Sequence, residues 1–385
     1  MHQANSSTSS SDGAVRAGEG GATRASVAAA FCWTLVWLVA FEAGYQLLDR
    51  VAWLHESAFG RPLSTYLERG ESIERRLRAA ATSDEPTTRA MVDAGWIDRA
   101  RWKDFPARRA AGSTHLVAFY GNSFTRQIAV QVERLDPAID VRMVFGPVAP
   151  ASHAFACFVE DRQEHEADVV VLGVVTEMIP GLLAMTRSTE SVVEPSPYTF
   201  PRYRLHEGSL EVVEPGMRRL EDFSRALADP KAWSAHLDQL ARHDAFYSPA
   251  IYKASWLDAL AFSRMAKAAW AIRRHRMVSG PVLDGLREPS SSEPVALLLV
   301  LLRRFDELAR SDGRRPLVLL IDTPSVSPRA SVYLREQLAA AGVATILAAD
   351  SCAGDDPAHF ASDGHLSEPC AVRVGERVRA WVAGP

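Results

Sequence analysis

Hydrophobic positions are distributed very unevenly along the chain. From Ser26 to Phe41 (SVAAAFCWTLVWLVAF) there is no charged residue, and beyond Glu42 the apolar character resumes through Tyr45, Leu47 and Leu48. A bilayer span needs about 20 largely apolar residues, and the window 26–48 meets that length with one acidic interruption near an end. A cleavable signal peptide and a buried core helix are the alternatives. The sequence after the run lacks a good small-x-small cleavage site, and a run that is apolar all round does not read as a surface helix. We therefore expect an uncleaved transmembrane anchor at 26–48. Arg16 and Arg24 precede it, which favours an N-inside orientation and an extracytoplasmic C-terminal domain. Residues 1–25, rich in Ser, Gly, Ala and Thr, have little to bury and are expected to be disordered.

From 49 to 112 the pattern is charged and helical, with Leu67, Ile73 and Leu77 at roughly helical spacing and Pro62, Pro86 and Pro106 as interruptions. This reads as a helical stalk or collar. Beyond 113, short apolar runs alternate with helical stretches. His115–Tyr120, Val141–Phe145, Ala167–Val175, Pro316–Ile321 and Ala344–Ala348 read as strands. Phe124–Leu135, a segment through Phe155, Ser327–Ala341 and Pro369–Val382 read as helices. Strands separated by helices predict an α/β fold with right-handed crossovers and a parallel sheet. The interval of about 180–292 is too long for an ordinary connection. It opens on a Pro-rich loop and continues as aromatic-rich segments around Trp233, Tyr247, Trp256 and Trp270. We read it as a helical insertion within one domain spanning 113–385, capping the carboxyl edge of the sheet.

Composition changes this picture little. With 47% hydrophobic and 23% charged residues, wholesale disorder is excluded. A net charge of −4 and a pI near 6.3 supply no global drive toward nucleic acid. Only four of the 43 basic residues are lysines. Arginine suits anion recognition, but a codon bias gives the same count. Of the four cysteines, Cys32 lies in the apolar run, leaving Cys157, Cys352 and Cys370, which cannot all pair within one chain; Cys352 and Cys370 flank a His- and Asp-containing loop and form a disulfide or stand as isolated buried thiols.

Candidate chemistry lies in two segments. Gly121-Asn122-Ser123-Phe124-Thr125 follows the first strand, and ligands bind beyond the carboxyl ends of strands in open parallel sheets. Ser123 would start a helix, where free N–H groups favour an oxyanion; a plain N-cap is the simpler reading. The segment is neither a G-x-S-x-G elbow nor a P-loop. The second segment is His359-Phe-Ala-Ser-Asp363-Gly364-His365-Leu-Ser367, before the last helix. A serine becomes a nucleophile only with a base in reach that a third group holds, and an Asp and a His in one loop supply both. Asp355, Asp356, His359, Asp363 and His365 cluster there too, but without H-E-x-x-H, Cys–His or EF-hand spacing, so no metal and no cofactor is expected. His153 and Arg126 are candidate substrate contacts, with a buried helix histidine and a solvent-facing arginine as the plainer readings. Arg202 and Arg204 in the insertion are further arginines of the same kind.

Together the two segments resemble the SGNH (GDSL-like) hydrolase family. Gly121-Asn122-Ser123-Phe124 looks like its first block, with Asn122 where aspartate is common, and Asp363-Gly364-His365 before a terminal helix looks like its last. The resemblance covers about 113–178 and 296–385. It implies a flavodoxin-like sheet of order 2-1-3-4-5, Ser123 as nucleophile, His365 as general base and Asp363 as its orienting partner. It further implies an oxyanion hole from Ser123, Gly146 and Thr176, with Asn122 beside the substrate. Two departures stand out. Asp363 and His365 are separated by one residue rather than two, and the third block reads Gly173-Val-Val-Thr176-Glu177 where the family has G-x-N-D. The expected activity is a membrane-anchored serine esterase or O-acyltransferase acting on acylated carbohydrate or another acyl ester. Extracytoplasmic polysaccharide is the expected setting, as for the alginate acetyltransferases, with polysaccharide-assembly proteins as partners. A catalytically degenerate glycan-binding or scaffold domain is the alternative.

Overall fold

The computed structural model describes residues 19–50, 57, 60–191, 196–324, 328–353 and 356–384, with the backbone alone at 19–25 and 48–50. A long helix, Glu19–Arg50, contains the stretch Ser26–Leu47, which is long and apolar enough to cross a membrane, with 0% of its apolar window buried. The tail expected to be disordered to residue 25 is thus helical from Glu19; its first 18 residues lie outside the described ones.

Among the described residues seven strands follow: β1 (His115–Gly121), β2 (Ile139–Phe145), β3 (Val169–Val175), β4 (Arg202–His206), β5 (Ser209–Val213), β6 (Arg315–Ile321) and β7 (Thr345–Leu347). Five of them form a parallel sheet in the order β2-β1-β3-β6-β7. In chain numbering this differs from the expected 2-1-3-4-5, because β4 and β5 intervene. They pair antiparallel as a hairpin of their own inside the insertion. Its turn uses Glu207 at φ 49° and Gly208 at φ +79°, the left-handed pair a tight two-residue hairpin requires.

Residues alternate across the pleat, and each face of the sheet carries a core. Leu116, Ala118 and Tyr120 of β1 pack with Phe158 of helix Ala151–Asp161 and Phe305 of helix Glu293–Ser311. Val117 and Phe119 face the other way, toward helices Ser123–Leu135 and Glu368–Ala383. β3 is buried at every position, as a strand covered on both faces must be. Pairing Gly121 with Phe145 and Val175 with Ile321 aligns the carboxyl ends of β1, β2, β3 and β6 along one edge. Ser123, Gly146, Thr176 and Asp322 all follow directly from that edge.

The segment after the long helix folds as helices Gly60–Arg69, Ile73–Ala81 and Pro86–Asp93. Ile73, Leu77 and Trp96 share one buried cluster with Tyr198, Phe223 and Trp233 of the insertion. The collar therefore leans on the insertion rather than standing clear as a stalk. Trp233 and Tyr247 are buried there, whereas Trp256 and Trp270 face solvent.

Candidate active site

β1 ends in a notch that draws the next helix close to the sheet. A Cβ on Gly121 would lie 2.2 Å from Thr125 Oγ1, and one on Gly173 of β3 only 1.9 Å from the same atom. Both positions must be glycine for the fully buried Thr125 to seat between the strands. Asn122 is the N-cap of helix Ser123–Leu135: its Oδ1 accepts the Phe124 N–H at 3.1 Å, and its Nδ2 reaches only the Met178 thioether at 3.0 Å. Ser123 occupies the first helical position, and no described acceptor takes its N–H.

The second segment folds back onto this helix start. The Ser367 N–H donates to the His359 carbonyl at 2.7 Å, the Ala361 N–H donates to the His365 carbonyl at 2.7 Å, and Gly364 turns the chain at φ +85°. Gln127 Nε2 donates to the Leu366 carbonyl at 2.6 Å, and the His365 ring stacks on Phe124 with centroids 4.7 Å apart. A Cys352–Cys370 disulfide closes the loop at its base, resolving the open alternatives for these two thiols; Cys157 is free and buried.

These restraints bring Ser123 Oγ to 2.7 Å from His365 Nε2. Asp363 Oδ2 lies 3.2 Å from His365 Nδ1, but off the line of a formed hydrogen bond, and that nitrogen has no hydrogen-bond partner. The carboxylate also accepts the His365 backbone N–H at 3.1 Å. That bond, followed by the imidazole's charge, holds the Asp363 carboxyl below the usual carboxylate range. Its side chain is 67% exposed, which separates it from a sequestered orienting carboxylate.

Four expected site residues are engaged elsewhere. The Gly146 N–H donates to the Gly121 carbonyl at 3.2 Å, continuing the β1–β2 ladder, so it is not a free oxyanion donor. Its lack of a side chain serves packing, since a Cβ there would meet His153 Cε1 at 2.6 Å. Thr176 is fully buried and its hydroxyl donates to Asp322 Oδ1 at 2.9 Å, away from the cleft. Asp322, whose carboxyl burial pushes up, also accepts from Ser331. His153 does not face the cleft: its Nε2 bonds the Gly95 carbonyl at 2.8 Å, and burial lowers its pKa to about 4. Arg126 is exposed and lies over the Phe145 ring at 5.2 Å. Of the five loop residues weighed as a metal cluster, Asp355 lies outside the described residues; among the described ones, no group of three could hold a metal.

Ser123 and His365 open on a pocket of about 650 Å³. Its far wall comes from Glu177 and Met178 after β3, and from Arg187, His275 and Arg276 of the insertion. Sequence reasoning did not single out these insertion residues. The available signal was the run Arg273-Arg-His-Arg276, cationic and free of acids. Arg187 is neutralised by Glu190, and the Glu177 carboxylate accepts from Thr323 at 2.8 Å. Val148, also on the pocket, is held at φ 50°, a costly conformation for a β-branched residue.

No family model matches the sequence, and no curated protein matches it. Among solved structures the chain is similar to a "putative acylhydrolase" from Bacteroides fragilis NCTC 9343, at 10% identity over 74% of this chain and 96% of that one. The TM-score is 0.35, at which the likeness carries no argument about fold or chemistry.

Proposed function

We propose that this chain is a membrane-anchored serine esterase or O-acyltransferase of SGNH type. The observation that carries the reading is the 2.7 Å contact between Ser123 Oγ and His365 Nε2, made across 242 residues of sequence at the mouth of a pocket. With Nδ1 protonated, Nε2 accepts the Ser123 proton as Oγ attacks the ester carbonyl. Asp363, beside Nδ1, favours that tautomer and the imidazolium that follows. The tetrahedral oxyanion accepts from the unpaired Ser123 N–H, and the Asn122 amide, held only by a thioether, is the second donor. His365 then returns the proton to the leaving alkoxide. Water or a sugar hydroxyl then attacks the acyl carbon, its proton passing to His365 Nε2 and from there to Ser123 Oγ as the acyl–serine bond breaks.

The natural substrate on this reading is an acylated carbohydrate of an extracytoplasmic polysaccharide, with polysaccharide-assembly proteins as partners. The apolar helix at the N-terminus and the resemblance of the two motifs support that setting. The test is hydrolysis of p-nitrophenyl acetate by the full chain in detergent. Ser123→Ala is expected to lower turnover at least about 10³-fold; unchanged turnover would sink the assignment.

One observation favours a second reading. The Gly146 N–H and the Thr176 hydroxyl are both committed inside the fold. A degenerate glycan-binding domain would tolerate that loss. It predicts no turnover by the wild type, and glycan binding that Ser123→Ala leaves intact.

A further inference from the structure

Helix Ala261–Gly285 of the insertion is cationic on one side and anchored at one end. From 261 to 283 it carries Arg264, Lys267, Arg273, Arg274 and Arg276 and no acidic residue, in a chain of net charge −4. Three of these cations are used within the fold. Arg264 lies over the Tyr45 ring at 5.2 Å, Lys267 pairs with Asp258 at 2.6 Å, and Arg274 donates to the Ala245 carbonyl at 2.8 Å. Arg273 and Arg276 are exposed and make no ion pair among the described residues. At helical spacing they share one face with Met265, Trp270 and Met277, all exposed. Apart from Asp284 near its C-terminal end, 77% exposed and 4.0 Å from Arg287, this face presents Trp, Met and Arg side chains and no other carboxylate. Helices of that make-up lie in the headgroup layer, where arginine meets lipid phosphate while its stem covers apolar surface.

A second observation places this helix beside the apolar N-terminal one. The first turn of the helix is fastened to the apolar N-terminal helix: Glu42 accepts the Ala261 N–H at 2.6 Å, and Tyr45, Leu67 and Ala261 form a buried cluster. The helix therefore starts against the last turns of the stretch Ser26–Leu47. Trp256, 78% exposed, lies a few residues before that junction.

We propose that this face of Ala261–Gly285 rests on an anionic phospholipid surface around the span. The proposal depends on Ser26–Leu47 being membrane-inserted and not on the serine chemistry. It has a consequence for that chemistry, because His275, Arg276 and Ser279 of the same helix line the pocket that holds Ser123. The pocket is thereby held beside the membrane, and its ester substrate is met at the lipid surface.

The test uses the full chain in phosphatidylcholine vesicles with and without phosphatidylglycerol. A fluorophore is placed on Met277→Cys, on the exposed Val212→Cys of the hairpin as a control outside the face, or on native Cys32 in the span. Cys32→Ser accompanies the first two, and Cys157 is buried. Quenching by lipids spin-labelled near the headgroup is expected to be several-fold stronger at 277 than at 212. Removing the anionic lipid or introducing Arg273→Glu weakens it. Quenching of Cys32 by deeply labelled lipids, with equal weak quenching at 277 and 212, overturns the surface contact and leaves the span standing. Absence of quenching at Cys32 overturns both. Shielding of 277 in detergent with a doubled particle mass assigns the face to a second copy and likewise overturns the proposal.

Discussion

Reducing the Cys352–Cys370 bridge should lower stability substantially while leaving the Ser123–His365 contact largely in place. The bridge closes a segment of 18 residues that carries Asp363 and His365. Loop-closure entropy for that length amounts to about 3 kcal/mol at 25 °C. At about 2 °C per kcal/mol for a large domain, the melting temperature should fall by roughly 6 °C. The side of the loop that faces Ser123 has further restraints that do not pass through sulfur: Gln127 on the Leu366 carbonyl, Phe124 stacked on His365, and the Phe360–Leu366 bridge. Turnover below the melting transition should therefore fall by less than about tenfold, since His365 keeps its position over Ser123. The assay compares wild type, wild type with dithiothreitol, and Cys352→Ser/Cys370→Ser by thermal unfolding and p-nitrophenyl acetate hydrolysis. Unchanged stability would refute the restraint. A thousandfold loss of turnover in folded protein would refute the claim that the local contacts suffice.

Asp363→Asn should cost only about tenfold in turnover, against at least about 10³-fold for His365→Ala, because an exposed, off-line carboxylate orients the imidazole weakly; equal losses would assign Asp363 a stronger role. Thr176→Val should destabilise by about 1–2 kcal/mol, since it strips a donor from buried Asp322, yet leave turnover within about threefold. Asn122→Ala, by contrast, should lower turnover by about 10²-fold in folded protein; the reverse ranking would restore Thr176 to the oxyanion hole. Burial lowers His153, His165 and His236 to a pKa of about 4 from an ordinary 6.5. The unfolded chain then binds more protons between those values, so their contribution is present above pH 6.5 and is lost as pH falls toward 4, by about 3 kcal/mol apiece. Denaturant midpoints measured from pH 7 to 4.5 should decline, and His236→Gln should flatten that decline.

The strands and the two segments that bring Ser123 and His365 together were legible because their signals are local. An apolar β-branched run such as 167–175 has few other uses, and Gly121-Asn122-Ser123 and Asp363-Gly364-His365 are short and unusual. The competing uses of the same residue types were not legible. Nothing near Thr176 in sequence announces Asp322, 146 residues later, and nothing near His153 announces the Gly95 carbonyl; both pairings exist only once β3 meets β6 and the collar meets helix Ala151–Asp161. The family resemblance assigns Gly146 to the oxyanion hole from its place after a strand, a place that suits close packing equally well. The hairpin at 202–213 escaped because its alternation is short, and its turn is carried by a Glu-Gly pair rather than Asn-Gly or Asp-Gly.

The central claim is that Ser123 is a nucleophile activated by His365, and covalent labelling tests it most directly. Full-length protein treated with a fluorophosphonate probe and digested for mass spectrometry should carry the adduct on Ser123, with labelling abolished in Ser123→Ala and strongly slowed in His365→Ala. Equal labelling of all three proteins, or an adduct on a different residue, would contradict the account.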